Sequence, residues 1–220
     1  MSQKTAIILG ATGLTGGLLL KSLIADDSYT SIKIFSRRTS GNNSPKLKEF
    51  IVDVLHLESF KGDFTADEVF CCIGTTSAKT KDRSVYKAID FGIPVSASKL
   101  AKENKIPTIL VISSMGANAS SNIFYSRTKG EMEEAVLNQK IPNTYILRPS
   151  LILGERNESR IGESLGAFVM KLTNALLVGR LKKYRAIEAA CIAEAMIKLA
   201  KSKPDMQIVS SDVIQELAVP

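Results

Sequence analysis

Residues Gly10-Ala11-Thr12-Gly13-Leu14-Thr15-Gly16 follow the apolar run Ala6-Ile7-Ile8-Leu9 and lead directly into an amphipathic stretch. Strand, glycine-rich turn and helix, in that order, set backbone N–H groups and a helix N-terminus where a dinucleotide pyrophosphate can rest. Gly10 permits the tight turn, Gly13 lets backbone approach phosphate, and Gly16 packs helix against strand. A spaced glycine triplet alone is also common in flexible loops. Here the flanking strand and helix supply the context that such loops lack.

Twenty-one residues beyond Gly16, the second apolar run ends in Ile34-Phe35-Ser36-Arg37-Arg38. A site selective for NAD usually places an acidic residue here against the ribose 2′-hydroxyl. Two arginines stand there instead, and a guanidinium can hold a 2′-phosphate through two hydrogen bonds and stack on adenine. Most exposed Arg pairs are solvated basic turns, but this position favours a cofactor role. The expectation is NADP(H) in preference to NAD(H).

Apolar, β-rich runs alternate with helical patterns along the whole chain, the pattern of a parallel sheet covered on both faces. Strands are predicted at 5–9, 31–35, 49–52, 68–73, 108–112, 144–147 and 207–209, and helices at 14–25, 84–104, 121–139, 164–177 and 186–201. Asn104-Lys105-Ile106-Pro107 stops one helix before a buried strand, because the residue preceding proline avoids the helical region. The Ser-, Asn- and Gly-rich stretch 39–45 reads as a loop, and no repeat or linker divides the chain. The fold class expected is α/β: a Rossmann-like, doubly wound parallel sheet in a single domain over residues 1–220. Residues 149–220 hold too little for a second core and are expected to add a small cap at the carboxyl ends of the strands.

Composition narrows the chemistry. The chain has 220 residues, 45% hydrophobic and 23% charged, which is ordinary for a soluble globular protein. Its three cysteines form no disulfide framework and suit a reduced compartment, with Cys71 and Cys72 read as buried strand residues. Lys4 and the apolar residues through Leu20 imitate a secretory signal, but the three glycines and the missing A-x-A site argue against one. No other window approaches a membrane span. The expectation is a cytoplasmic protein. A net charge of +7 raises nucleic acid as a partner, yet the basic residues are dispersed apart from Arg180-Leu181-Lys182-Lys183-Tyr184-Arg185, and no nucleic-acid motif accompanies them. A single histidine, His56, read as a loop residue, leaves little room for metal or Ser-His chemistry.

The strand Ile109-Leu110-Val111-Ile112 ends in Ser113-Ser114-Met115-Gly116, and nine residues after Gly116 begins Tyr125-Ser126-Arg127-Thr128-Lys129. On a helix, the i,i+4 spacing stacks the Tyr125 phenol and the Lys129 ammonium on one face. A nearby ammonium favours the phenolate and fits the tyrosine for acid–base work. The lysine can also reach a nicotinamide ribose, and a serine hydroxyl can hold a carbonyl oxygen. Alone, the pair is an ordinary half-buried Tyr with a solvated Lys. With Ser113-Ser114 at a strand end and the N-terminal glycine turn, it becomes specific.

This trio resembles the short-chain dehydrogenase/reductase superfamily in its extended and atypical branches. Cys71-Cys72-Ile73-Gly74-Thr75-Thr76, Ser113-Ser114-Met115-Gly116-Ala117 and Ser120-Ser121-Asn122-Ile123-Phe124-Tyr125 with Lys129-Gly130-Glu131 are similar to the Tat-interacting-protein group of atypical reductases and its bacterial epimerase-like relatives. Arg148-Pro149, Gly154 to Arg160 and Gly162-Glu163 continue the likeness. The resemblance implies a Rossmann-like NADP(H)-binding domain with Ser, Tyr and Lys in catalytic positions. Carried over, Gly10, Thr12, Gly13, Leu14, Thr15 and Gly16 line the pyrophosphate, and Arg37 with Arg38 meets the 2′-phosphate. Asp53 and Val54 flank adenine, Gly74 and Thr75 border the ribose, and Pro149, Leu151 and Ile152 reach the carboxamide. The separation from serine to Tyr125 is eleven or twelve residues, shorter than in the main branch, so Ser114 is preferred as the catalytic serine and Ser113 held in reserve. Arg156 and Arg160 are read either as anion ligands on the cap or as partners of Glu155, Glu158 and Glu163.

Two functions are expected from these residues. The first is an NADP(H)-dependent oxidoreductase acting on a small carbonyl compound or a sugar nucleotide, with Tyr125 as proton donor, Lys129 as its electrostatic support and Ser114 on the carbonyl. The second is a non-catalytic NADP(H) redox sensor that signals to a protein partner. The intact Tyr-Lys pair favours the enzyme, because a sensor has no use for it.

Overall fold

The computed structural model describes residues 3–76, 79–154, 177 and 179–219. The first half runs β1 Lys4–Leu9, α1 Leu14–Ala25, β2 Tyr29–Ser36, β3 Leu47–Ile51, a 3-10 helix Val54–Phe60 and β4 Glu68–Cys71. Then come α2 Arg83–Lys87, a π-helical turn Ala88–Gly92, α3 Ile93–Glu103, β5 Thr108–Ile112, α4 Phe124–Leu137, β6 Asn143–Arg148 and β7 Ile152–Leu153. A second 3-10 helix Gly179–Tyr184, β8 Ile187–Glu188, α5 Ala189–Ser202, β9 Ile208–Ser210 and α6 Ser211–Ala218 complete it.

Seven strands form one sheet in the order β3-β2-β1-β4-β5-β6-β9, while β7 and β8 pair separately. Every pairing is parallel. The strand order reverses between β1 and β4, whose last residues Leu9 and Cys71 lie in register. That is the topological switch point, where the loops leaving the two strands part and open a crevice. The fold is Rossmann-like.

Alternation along the strands builds two cores. Ala6, Ile8, Ile32, Ile34, Phe70, Leu110 and Leu147 share one with Leu19 and Leu23 of α1 and Met196 and Leu199 of α5. Ile7, Leu9, Phe35, Val69, Val111 and Ile146 share the other with Leu100 of α3 and Met132 and Val136 of α4. Each such buried Leu, Ile, Val, Phe or Met side chain is worth about 1.5–3 kcal/mol. At the amino end of the sheet, buried Glu68 accepts from the Tyr29 hydroxyl (2.5 Å) and the Lys4 ammonium (2.8 Å), so its charge is compensated.

The helix predicted at 84–104 is broken into α2, the π turn and α3. Pro94 lacks the N–H that would bond Asp90, and its ring crowds that carbonyl. The chain widens instead, and the Ile93 N–H reaches back five residues to the Ala88 carbonyl. The helix predicted at 121–139 begins only at Phe124, because the Asn118 side chain accepts from Ser120 N–H and the Ser121 hydroxyl from Ile123 N–H. The helix predicted at 186–201 starts at Ala189, since Ile187 and Glu188 pair with Ile152 and Leu153. His56 lies within the first 3-10 helix rather than a loop, although its own φ/ψ is not helical. Cys71 is the buried last residue of β4, and Cys72 lies just beyond it with its sulfur 3.9 Å from that of Met196.

In the C-terminal part, α5 packs on the sheet beside α1 and β9 becomes the seventh strand. The helix predicted at 164–177, Arg156, Arg160 and the acidic residues beside them lie outside the described residues. Among the described residues no helix is long and apolar enough to cross a membrane.

Candidate functional site

The carboxyl ends of β1, β4, β5 and β6 carry the residues singled out by the sequence. At the end of β1, Gly10 has φ +84, and a Cβ there would lie 2.8 Å from the Cys72 carbonyl oxygen. A Cβ on Gly16 would lie 2.1 Å from the Gly10 carbonyl oxygen, so α1 sits directly on the turn. Gly13 differs: it is exposed, its φ is −89, and its added Cβ meets only the Gly10 carbonyl oxygen, at 3.2 Å. Gly13 is also the N-cap of α1 and provides no side-chain cap. The first N–H groups of α1 thus face the crevice with the positive end of the helix dipole behind them. Thr15 is buried in the first turn, and Leu14 reaches across to the end of β7, where a Cβ on Gly154 would touch it at 2.9 Å.

Arg37 and Arg38 follow β2 and are both exposed, and neither has an ion-pair partner among the described residues. The Ser36 hydroxyl donates to the Arg38 carbonyl at 2.7 Å and shapes their turn. The Asp53 carboxylate accepts from Leu55 N–H at 3.0 Å and caps the first 3-10 helix, while the Val54 side chain is buried in the core. These residues edge the crevice beside the end of β2, since Val52 N–H bonds the Ser36 carbonyl at 2.8 Å.

The centre of the site is a buried ion pair. Lys129 Nζ lies 2.7 Å from Asp90 Oδ1, with side chains 5% and 0% exposed. Asp90 Oδ2 accepts from the Thr75 N–H at 2.7 Å, tying the β4 loop to the π turn. Gly74 passes over the pair: a Cβ there would stand 3.6 Å from Asp90 Oδ1 and 3.8 Å from Lys129 Nζ. Tyr125, one turn before Lys129 on α4, is 37% exposed and packs edge-on against Tyr86 of α2, ring centroids 6.5 Å apart. Burial pushes the Tyr86 phenol well above its usual range, so Tyr86 is a neutral wall.

Ser113 and Ser114 follow β5, which pairs with β4. The loop that follows lies flat on α4: Asn118 N–H bonds the Ser126 carbonyl at 2.9 Å, and a Cβ on Gly130 would collide with Ala119 N at 2.0 Å. Ser113 N–H bonds the Leu147 carbonyl at 2.7 Å and Met115 N–H the Pro149 carbonyl at 3.0 Å, bringing the end of β6 alongside. The hydroxyl oxygens of Ser113 and Ser114 are both buried with no hydrogen-bond partner among the described residues. Native structures rarely leave buried hydroxyls unpaired, and a bound molecule is one standard reason. Leu151 is exposed, and Ile152 is held in β7. Arg148 donates to buried Glu133 through Nε (3.0 Å) and Nη2, which clamps α4 to β6 and holds the guanidinium above its usual range.

The structure therefore sets Gly74 and Thr75 against the Asp90–Lys129 pair, with Tyr125 one turn away on α4, and aligns Ser113, Ser114 and Pro149 at the ends of β5 and β6. Gly10 and Gly13 lie at the end of β1 beside β4. Asp90 was not anticipated; its signal was an aspartate four residues before a proline inside a helical pattern. Burial pushes the Cys71 thiol up to about 11, which leaves it inert.

A family model described as HIM1 matches residues 22–181. The chain belongs to the HIM1 family. The motifs resemble those of the atypical short-chain dehydrogenase/reductases, and the solved structures similar to this chain share its Rossmann-like fold. This HIM1 chain is 36% identical to Protein FMP52, mitochondrial, of Candida albicans over 227 residues, 97% of this chain and 98% of that protein. It is 32% identical to Protein HTATIP2 of Rattus norvegicus over 172 residues, 75% of this chain and 69% of that one. Many solved structures share the fold, two of them as follows. One is a UDP-N-acetylglucosamine 4-epimerase from Methanobrevibacter ruminantium in complex with UDP-N-acetylmuramic acid, with TM-score 0.70, 16% identity, and 94% of this chain and 76% of that chain covered. The other is a short-chain dehydrogenase/reductase superfamily protein from Agrobacterium tumefaciens with bound NAD, with TM-score 0.68, 14% identity and coverage of 89% and 73%.

The comparison corrects the expected location. The FMP52 relatives are named mitochondrial, which conflicts with a plainly cytoplasmic assignment. Free thiols and ordinary composition are compatible with more than one reducing compartment and carry no address.

Proposed function

We propose that this HIM1-family chain is an NADP(H)-dependent oxidoreductase that reduces a small carbonyl compound to an alcohol. The observation that carries this reading is the pair of unpartnered buried hydroxyls, Ser113 and Ser114, at the strand end whose loop lies along the Tyr125–Lys129 helix. They supply donors for an oxygen that the protein itself does not contain.

The residues present fit the dinucleotide. The uncapped N-terminus of α1 and the open face at Gly13 receive the pyrophosphate, with Gly10, Thr12, Leu14, Thr15 and Gly16 around it. Arg37, with Arg38 beside it, meets the 2′-phosphate, which favours NADP(H). Asp53 and Val54 flank adenine, Gly74 and Thr75 border the ribose, and Pro149, Leu151 and Ile152 lie toward the carboxamide. When bound, the reduced cofactor supplies a hydride to the carbonyl carbon. Ser114, with Ser113 second, donates a hydrogen bond to the carbonyl oxygen and fixes its place. Tyr125 gives its phenolic proton to that oxygen, and the alcohol leaves. Lys129 stabilises the phenolate left behind and reaches the ribose hydroxyls, and solvent reprotonates Tyr125 through its exposed edge. Asp90 holds Lys129 in place.

A second reading, conversion of a sugar nucleotide, is favoured by the likeness to the Methanobrevibacter epimerase. Titrating the protein with NADPH and with NADH by thermal shift, then following a carbonyl panel at 340 nm, tests the proposal. NADPH binding with turnover of a simple carbonyl supports it, and turnover of UDP-sugars alone selects the second reading.

A further inference from the structure

Beside Tyr125 the structure holds a cavity of about 310 Å³. Its walls are Tyr86, Ile123, Phe124 and Tyr125, and Lys81 and Arg83 stand at its rim. The aromatic rings form a continuous edge-on series, with Tyr86 to Phe124 at 5.5 Å and Tyr86 to Tyr125 at 6.5 Å. Ile123 is 66% exposed there, at the N-cap of α4. Clustered exposed apolar side chains beside a reactive group mark a surface that a ligand covers.

The rim adds a charge requirement. The Arg83 guanidinium lies 5.3 Å from the Phe124 ring centre, stacked against the wall. Neither Arg83 nor Lys81 has an ion-pair partner among the described residues. The one carboxylate between them in sequence, Asp82, is spent on its own helix: its Oδ1 accepts from Ser84 N–H (2.7 Å), Ser84 hydroxyl (2.6 Å) and Val85 N–H (3.1 Å). Lys87, one turn further along, is paired with Glu131 at 2.7 Å and offers no competing cation. The cavity thus combines an apolar body, two cations without counter-ions and the proposed proton donor.

We infer that the substrate is an apolar, preferably aromatic, aldehyde or ketone that carries an oxyanion, a carboxylate or phosphate, on the side away from its carbonyl. The apolar body lies against Tyr86, Ile123 and Phe124, the oxyanion meets Arg83 and Lys81, and the carbonyl oxygen is presented to Tyr125. This rests on the oxidoreductase reading above and adds the substrate class to it. Charge-assisted hydrogen bonds give the oxyanion a larger share of the affinity than a neutral substituent can supply.

The test compares 4-carboxybenzaldehyde, 4-formylphenyl phosphate, 4-methylbenzaldehyde and glyceraldehyde 3-phosphate under saturating NADPH. Expected is a kcat/KM at least about tenfold higher for an anionic aromatic aldehyde than for the neutral one, the worth of about one charge-assisted contact. Which of the two anionic aldehydes leads distinguishes carboxylate from phosphate. In the Lys81→Gln/Arg83→Gln double variant, the anionic-to-neutral ratio should fall to about 2 or less. Equal rates for neutral and anionic aromatics, or a lead for glyceraldehyde 3-phosphate, overturn the inference and leave the reductase reading standing. A direct binding arm separates the two claims when no carbonyl is turned over. The unreactive 4-tert-butylbenzoate should raise the melting temperature of the parent chain and not that of the double variant. That result upholds the anion site while removing the reductase, and no shift in either protein overturns the site.

Discussion

Lys129 and Asp90 meet as an ion pair at 2.7 Å inside the crevice, and both side chains are almost wholly withdrawn from water. Removing one partner of such a pair leaves an uncompensated buried charge, which costs about 3–5 kcal/mol in comparable sites. Asp90→Ala is expected at the lower end, about 3 kcal/mol, in urea unfolding. Asp90→Asn gives the sharper readout. With the carboxylate gone, the ammonium loses its anchor, and calorimetric titration of the folded variant should show weaker NADPH binding than the parent. A merely structural role for Asp90 would lower the melting temperature and leave NADPH affinity in place.

On the proposed reading, the two arginines after β2 set cofactor choice. NADPH should bind at least about tenfold more tightly than NADH, about 1.4 kcal/mol. Arg37→Asp should shrink or reverse that preference, because a carboxylate repels the 2′-phosphate. Calorimetric titration of both proteins with both cofactors measures it, and equal affinities in the parent chain count against the assignment.

The glycines of the first turn have separable roles. Gly13→Val should keep its fold, since φ is −89 there and the added Cβ meets a single oxygen at 3.2 Å, yet lose NADPH binding because its side chain occupies the pyrophosphate space. Gly16→Ala should be destabilised outright, with its Cβ 2.1 Å from the Gly10 carbonyl oxygen. Melting curves with and without NADPH distinguish the two.

At the far end of α1, burial alone would raise the Asp26 carboxyl, but hydrogen bonds from Lys201 (2.6 Å) and Ser28 outweigh it and hold it at about 2. A carboxyl depressed on folding stabilises the native state above its unfolded value of 3.8 and loses that contribution as pH falls toward about 2. Lys201 is half exposed, so after screening Asp26→Asn should cost only about 1 kcal/mol, about 2–4 °C in Tm, at neutral pH. The difference from the parent should fade between about pH 4 and pH 2.

Much of this was legible in the chain itself. The continuous apolar, β-rich runs marked the strands: β5 and α1 fall where the pattern places them, and β1 begins one residue earlier. The Tyr125–Lys129 spacing and the serines at the end of β5 are local features, so they survive into the structure unchanged. Asp90 was hidden because an aspartate in an amphipathic helix reads as a solvated face, and only the π turn imposed by Pro94 turns it inward. The pairing of Ile152-Leu153 with Ile187-Glu188 joins two segments too short to show a period. Likewise α6, with eight residues, owes its place to packing on α5 and not to its own propensity.

The central claim is that Tyr125 gives the proton in a carbonyl reduction. Tyr125→Phe keeps the ring against Tyr86 and removes only the hydroxyl. The most direct measurement is NADPH affinity and single-turnover carbonyl reduction in Tyr125→Phe and the parent side by side. The expected result is nearly unchanged affinity with turnover reduced by about two orders of magnitude or more. Full turnover in Tyr125→Phe, or tight NADPH binding by a parent chain that reduces no carbonyl, would contradict it.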